Sequence, residues 1–222
     1  MLNLNIEALQ RFQVHLVDHA VGWMTVEECL DEYFHELVKS IENSTGVTNP
    51  AVATSVFMRR YGFFIAALLN LKAHNKMWEG PLNKIYLIHS DQTISFQIEA
   101  NLIRDAQEED LDRIIKRYGH TVVEAFAKKA RISKLVLWEN IWGYVLWMYS
   151  QTDTEQAKID LHTLLQDHVW QPEIPTSMFR RFTSGLTFGE AANNYQRVTC
   201  CLYKELPNTA ACPYCPINKR SE

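Results

Sequence analysis

Apolar residues along this chain recur mostly at the three-to-four-residue spacing of a helix. Val26, Leu30, Tyr33, Leu37 and Ile41 form one such stripe. Thr25-Val26-Glu27-Glu28 opens it as a capping box, with Thr25 at the N-cap and Glu28 three residues on. Asn49-Pro50 predicts a second helix start, because proline's missing N–H costs nothing in the first turn. Val56, Phe57, Phe63, Phe64, Leu68 and Leu71 would supply that helix's buried surface. Further helices are expected over about 108–118, from the box Thr121-x-x-Glu124, from Ser133, and from Thr152-x-x-Glu155 to about residue 169. The one from Ser133 is apolar nearly all round, with Trp138, Ile141, Trp142, Val145, Leu146 and Trp147, which predicts a central position. One segment changes period. Ile94, Phe96 and Ile98 alternate with Thr93, Ser95, Gln97 and Glu99. With residues 84–89, across Ser90-Asp91-Gln92, this predicts an antiparallel hairpin with one wet face. Two strands alone are marginal, so the hairpin should pack on the helices.

The expected fold is therefore mainly α with a small antiparallel β-hairpin, about 84–100, in a helical body over 1–175. Pro172 and Pro175 should end that body. In 176–222 the composition shifts to Gly185, Gly189, Pro207, Pro213 and Pro216, which predicts an irregular cysteine-rich segment. A length of 222 residues fits one compact body with an appended motif, and is enough to bury a core without staples. A net charge of −4 with no long Lys/Arg run argues against a nucleic-acid partner. The N-terminus, Met1 to Glu7, lacks a secretory pattern. The most apolar stretch, 135–149, is interrupted by Glu139, Asn140 and Gly143 and is too short for stable membrane insertion. A cytoplasmic, thiol-reducing setting is expected, where clustered cysteines are more often metal ligands than disulfides.

Four of the five cysteines lie close together as Cys200-Cys201-x10-Cys212-x2-Cys215. Four thiolates this close repel one another unless a cation neutralises them, which points to iron–sulfur or zinc. The x2 spacing lets two sulfurs reach one metal around a tight turn. Adjacent cysteines suit one metal less well, because consecutive side chains of an extended chain diverge. A zinc ribbon normally uses two spaced pairs, so the vicinal pair favours more than one metal atom. Structural zinc, a [4Fe–4S] cluster and a dithiol redox role remain open on spacing.

The motif, led by Arg197 and followed by Pro216, resembles the C-terminal signature of the FhuF-like ferric siderophore reductases over about 197–217. The resemblance implies a cytoplasmic protein with a [2Fe–2S] cluster on Cys200, Cys201, Cys212 and Cys215, reducing Fe³⁺ held by a siderophore, usually of hydroxamate type. Hard oxygen ligands hold Fe³⁺ better than Fe²⁺, so one electron releases the metal. The glycines form no dinucleotide-binding fingerprint, so electrons should come from an external donor such as a ferredoxin. The rival reading is a zinc-stabilised helical interaction module.

Arg197 is a candidate to bind anionic oxygens of the substrate, or to balance a cluster of about −2 charge when oxidised. The bland alternative is a surface arginine paired with an acid such as Glu190. Cys29 falls on an apolar stripe and reads as a buried structural thiol. The tryptophans of the central helix could serve as an electron relay, but aromatics at helical spacing read as core. Arg59-Arg60 and Arg180-Arg181 could meet an anionic siderophore, against the safer reading of solvated or locally paired charge. His15 and His19, spaced i, i+4 on an expected helix, lack a third ligand and read as surface residues.

Overall fold

The computed structural model of the chain describes residues 9–90 and 93–217. The N-terminal stretch Met1 to Glu7 and the Asp91-Gln92 hairpin tip lie outside the described residues.

In chain order the elements that place the site are strands β1 (Val14–Val17) and β2 (Met24–Thr25), helices α1 (Val26–Leu30), α2 (Phe34–Thr45) and α3 (Pro50–Ala73), and strands β3 (Lys76–Trp78), β4 (Tyr86–Ser90), β5 (Thr93–Glu99) and β6 (Ile103–Asp105). Helices α4 (Asp110–Arg113), α5 (Thr121–Ala130), α6 (Lys134–Ser150), α7 (Glu155–Leu164), α8 (Met178–Phe182) and α9 (Phe188–Asn193) follow. The fold is mainly helical with a small mixed sheet.

Helices α3 and α6 form its centre and make the most extensive contact between any two elements. Both start where the sequence indicates. Asn49 accepts from the Ala51 N–H with Pro50 at the first position, and Ser133 accepts from the Leu135 N–H. Their close approach depends on Gly62. A Cβ there would lie 2.8 Å from Tyr144 Cδ2, 3.0 Å from the Asn140 carbonyl and 3.1 Å from Ile141 Cα. Gly62→Ala is therefore expected to cost about 1–3 kcal/mol by overpacking, read as a lowered urea midpoint. By length and composition α3 is the one helix among the described residues that could cross a membrane, rather than the 135–149 stretch. However, 78% of its most apolar window is buried inside the protein.

The hairpin forms as expected, with Leu87 opposite Phe96, but it belongs to a larger sheet of order β1-β5-β4-β2. β1 pairs with β5 in parallel and β2 with β4 antiparallel. β3 and β6 make a second, two-stranded sheet. Phe96 carries the larger sheet onto α3, 5.5 Å from Phe64 and 6.0 Å from Tyr61 between ring centroids. The expected wet face is partly covered: Gln97 accepts from the Val21 N–H, and Lys84 pairs with Glu99 at 3.9 Å.

Several boundaries differ from expectation, each for a local reason. The Thr25 box is present, but the helix it opens stops at Asp31, and α2 restarts at Phe34. His15 lies on β1, not on a helix, because Val14 and Leu16 pair with Phe96 and Ile98. Thr121 caps nothing. The chain runs from α4 into α5 through a π-helical stretch, Ile114–His120, and Thr121 donates to the Lys116 carbonyl. Within that stretch Tyr61 donates to the Tyr118 carbonyl and Tyr118 donates to that of Gly80. Thr154, not Thr152, caps α7, which ends at Leu164. Thr152 donates back to the Met148 carbonyl of α6. Beyond Pro175 the chain is not irregular throughout: α8 and α9 form, and Phe179 packs against Trp142 and Trp170, each at 4.9 Å. Trp138 and Trp142 are core residues, whereas Trp147 is 40% exposed. Cys29 is fully buried, its sulfur 3.1 Å from that of Met24, and burial pushes its thiol pKa up.

Candidate metal centre and adjoining cleft

Helical periodicity aligns Ser55, Arg59 and Phe63 along one face of α3, and Asn140, Tyr144 and Trp147 along one face of α6. The C-terminal segment lies over both rows. Three buried polar side chains at their inner ends fix it in place.

Glu139, in the middle of the apolar α6, has a fully buried side chain. Its carboxylate accepts from the Val198 N–H at 2.5 Å, from the Thr199 N–H at 2.7 Å and from the Thr199 hydroxyl. Asn140 donates to the Ser55 carbonyl and hydroxyl at 3.1 and 2.9 Å. Ser55 in turn donates to the Cys201 carbonyl at 2.7 Å. Arg197 closes the network, donating to Asn140 Oδ1 at 2.8 Å and to the Thr199 carbonyl at 3.1 Å, 3.5 Å from the Glu139 carboxylate. A carboxylate and a guanidinium leave water at this depth only because each is paired and hydrogen-bonded. The network holds the backbone of 197–201, and so the first cysteine pair, against α3 and α6.

The second cysteine pair is tied to the first. The Arg197 N–H donates to the Tyr214 carbonyl at 2.9 Å, and the Cys215 N–H donates to the Cys212 carbonyl at 3.0 Å, closing the x2 turn. Sγ of Cys201 and Sγ of Cys212 are 3.8 Å apart. Cys201 and Cys215 are buried, and Cys200 and Cys212 are partly exposed. Burial raises the Cys200 thiol pKa, the nearby charges of Cys215 and Cys201 raise it further, and the Leu202 N–H opposes them. Cys212 is pushed up to about 11, first by burial and then by Cys201. Cys215 and Cys201 thus act on Cys200, and Cys201 acts on Cys212. Among the described residues, no three His, Cys, Asp or Glu side chains stand together in a geometry that holds one metal ion.

The arginines differ in their partners. The side chain of Arg197 is only 7% exposed, and its partner is Glu139. Glu190, the acid expected beside it, instead completes a capping box with Thr187 at the start of α9. Arg180 is paired locally, with Asp167 at 2.7 Å. Arg60 donates to Gln13, while its neighbour Arg59 lies over the Tyr203 ring, 4.7 Å from the centroid.

Arg59 opens onto a cleft of about 1880 Å³ between the α3 and α6 rows and the C-terminal segment. Cys201 and Cys212 line this cleft; Cys200 and Cys215 do not. Tyr195 lines it too, with its buried hydroxyl bonded to no described residue. The roles of Ser55, Glu139, Asn140 and Arg59 are not apparent from the cysteine motif. Two adjacent polar residues inside an otherwise apolar helix were the available signal, because such residues must find buried partners.

No known family model matches the chain, and no curated protein matches it either.

Proposed function

We propose that Cys200, Cys201, Cys212 and Cys215 hold a [2Fe–2S] cluster, and that the chain delivers one electron to ferric iron carried by a siderophore in the adjoining cleft. The observation that carries this reading is the 3.8 Å separation of the Cys201 and Cys212 sulfurs. Two thiolates on one tetrahedral metal, with bonds of about 2.3 Å, lie about 3.8 Å apart. The two cysteines are separated by ten residues, and the Arg197–Tyr214 backbone bond, with the Glu139 carboxylate holding the first loop on α6, brings their loops together. Cys200 and Cys215 are left for the second iron by elimination. The donor set fits the group: four soft sulfurs, with no carboxylate or imidazole lining the adjoining cleft among the described residues.

When bound, such a cluster supplies reversible one-electron storage. The protein's own residues do the rest. Glu139, Asn140 and Ser55 hold the ligand loops against rigid helices, which limits reorganisation between oxidation states. Arg197 sets a positive charge beside the thiolates, and Glu139 offsets part of it. Cys201 and Cys212 face the cleft, so substrate iron approaches that edge. The balance is simple: a reduced protein donor such as a ferredoxin loses one electron, Fe³⁺ becomes Fe²⁺, and no atom is transferred. The resemblance at 197–217 supports the same reading, and a reducing cytoplasmic compartment suits it.

The test is direct. Protein purified anaerobically should be brown, contain iron and acid-labile sulfide in equal amounts, and give an EPR signal on reduction. Once pre-reduced, it should convert a ferric siderophore to Fe²⁺ without NADPH. A colourless protein with stoichiometric zinc supports the zinc-stabilised interaction module instead, since zinc meets the same sulfur separation.

A further inference from the structure

The chain as a whole is acidic, with a net charge of −4, yet the cleft beside Cys201 and Cys212 is not. No Asp or Glu among the described residues lines it, while Arg11, Arg59 and Arg197 do. Arg197 is neutralised locally by Glu139. Arg59 and Arg11 rest instead on aromatic faces: Arg59 over Tyr203 at 4.7 Å, Arg11 over Trp147 at 5.8 Å. Arg59 also donates a hydrogen bond to Tyr144, and a guanidinium with five N–H donors on a ring face keeps others for a ligand. Two cations therefore face the cleft without an acidic partner among its lining residues. The size fits a chelate of either class. Sites for drug-sized molecules run to about 300–1,000 Å³, and a cleft of about 1880 Å³ suits a bulkier ligand.

We infer that this cleft binds ferric chelates of net negative charge, with catecholate or carboxylate oxygens, in preference to neutral tris-hydroxamates. Arg59 and Arg11 recognise the anionic oxygens, and Phe63, Tyr144 and Trp147 pack against the chelate's apolar arms. This rests on the reductase reading and changes its expected substrate class. Phe63 and Tyr144 are already in contact, with ring centroids 3.9 Å apart and planes tilted by 38°, so the aromatic wall is preformed. A preformed wall lowers the ordering cost of binding.

The test uses redox-inert gallium(III) complexes, so that binding is measured without electron transfer. Titration calorimetry on the oxidised full-length protein would compare trianionic gallium tris-catecholate with neutral gallium tris-acetohydroxamate. The expected result is at least ~10-fold tighter binding of the trianion, with that preference shrinking as salt rises. Arg59→Gln should weaken trianion binding roughly 10-fold and leave the neutral complex within about 2-fold. Arg11→Gln, at an exposed residue whose ring contacts lie outside the cysteine segment, tests the same charge without disturbing that segment. Equal or tighter binding of the neutral complex overturns the inference, as does undiminished trianion binding in both variants. Failure of the reductase reading looks different: gallium complexes bind as described, but the protein holds no cluster or, pre-reduced, leaves the bound ferric chelate unreduced.

Discussion

Cys201→Ser and Cys212→Ser are each expected to leave the protein without a stable visible chromophore, with iron content falling several-fold. Serine keeps the shape of the side chain but offers a hard alkoxide of high pKa in place of a soft thiolate. Cys200→Ser and Cys215→Ser should do the same, but through the other metal atom. Where residual cluster survives, Mössbauer spectra should therefore sort the four variants into two pairs, Cys201 with Cys212 and Cys200 with Cys215. Cys29→Ser is the control. Its thiol is fully buried in the core next to the Met24 sulfur, so a hydroxyl there should cost stability, about 1–3 kcal/mol, and leave the colour intact. Loss of colour in Cys29→Ser with retention in Cys201→Ser would reverse the ligand assignment.

Glu139→Gln carries the second large expected effect. The carboxylate faces only donors: two backbone N–H groups, the Thr199 hydroxyl and the Arg197 guanidinium. Glutamine keeps the volume but turns one acceptor into an NH₂ that points at another donor, and it leaves Arg197 without its counter-charge. Breaking one side of a buried ion pair costs about 3–5 kcal/mol. The urea midpoint should fall accordingly. Residues 197–201 should also detach from α6 and gain hydrogen exchange at the Val198 and Thr199 amides, and cluster occupancy should drop with them. A variant that unfolds like wild type and keeps those amides protected would show that Glu139 does not hold the cysteine segment.

The helical character of the chain was legible because it rests on local chemistry. Asn49-Pro50 and Ser133 start α3 and α6 through contacts within one turn, and apolar spacing alone marks both as core helices. The same holds for the hairpin, whose alternation belongs to one strand at a time. Local signals fail where a distant partner competes. Thr121 has the spacing of a cap, but the buried Ile114, Ile115 and Tyr118 keep the backbone helical through it. β1 has too few residues to show a period, and only β5 makes it a strand. Trp147 sits in an apolar run, yet its face of α6 borders the cleft and not the core.

The four-cysteine motif and the metal chemistry proposed for it come from the sequence by itself, since thiolate repulsion and ligand softness follow from residue type and count. The pairing of the cysteines does not. Cys201 and Cys212 are separated by ten residues. Which sulfur meets which depends on the Arg197–Tyr214 backbone bond and on a carboxylate contributed by α6. Tertiary structure alone likewise divided the arginines, turning Arg197 inward to Glu139 and leaving Arg59 on the cleft. The physical reason is one of range. Propensity, capping and ligand softness act within a few bonds, whereas the partner of a buried charge is chosen by whichever helix packs beside it.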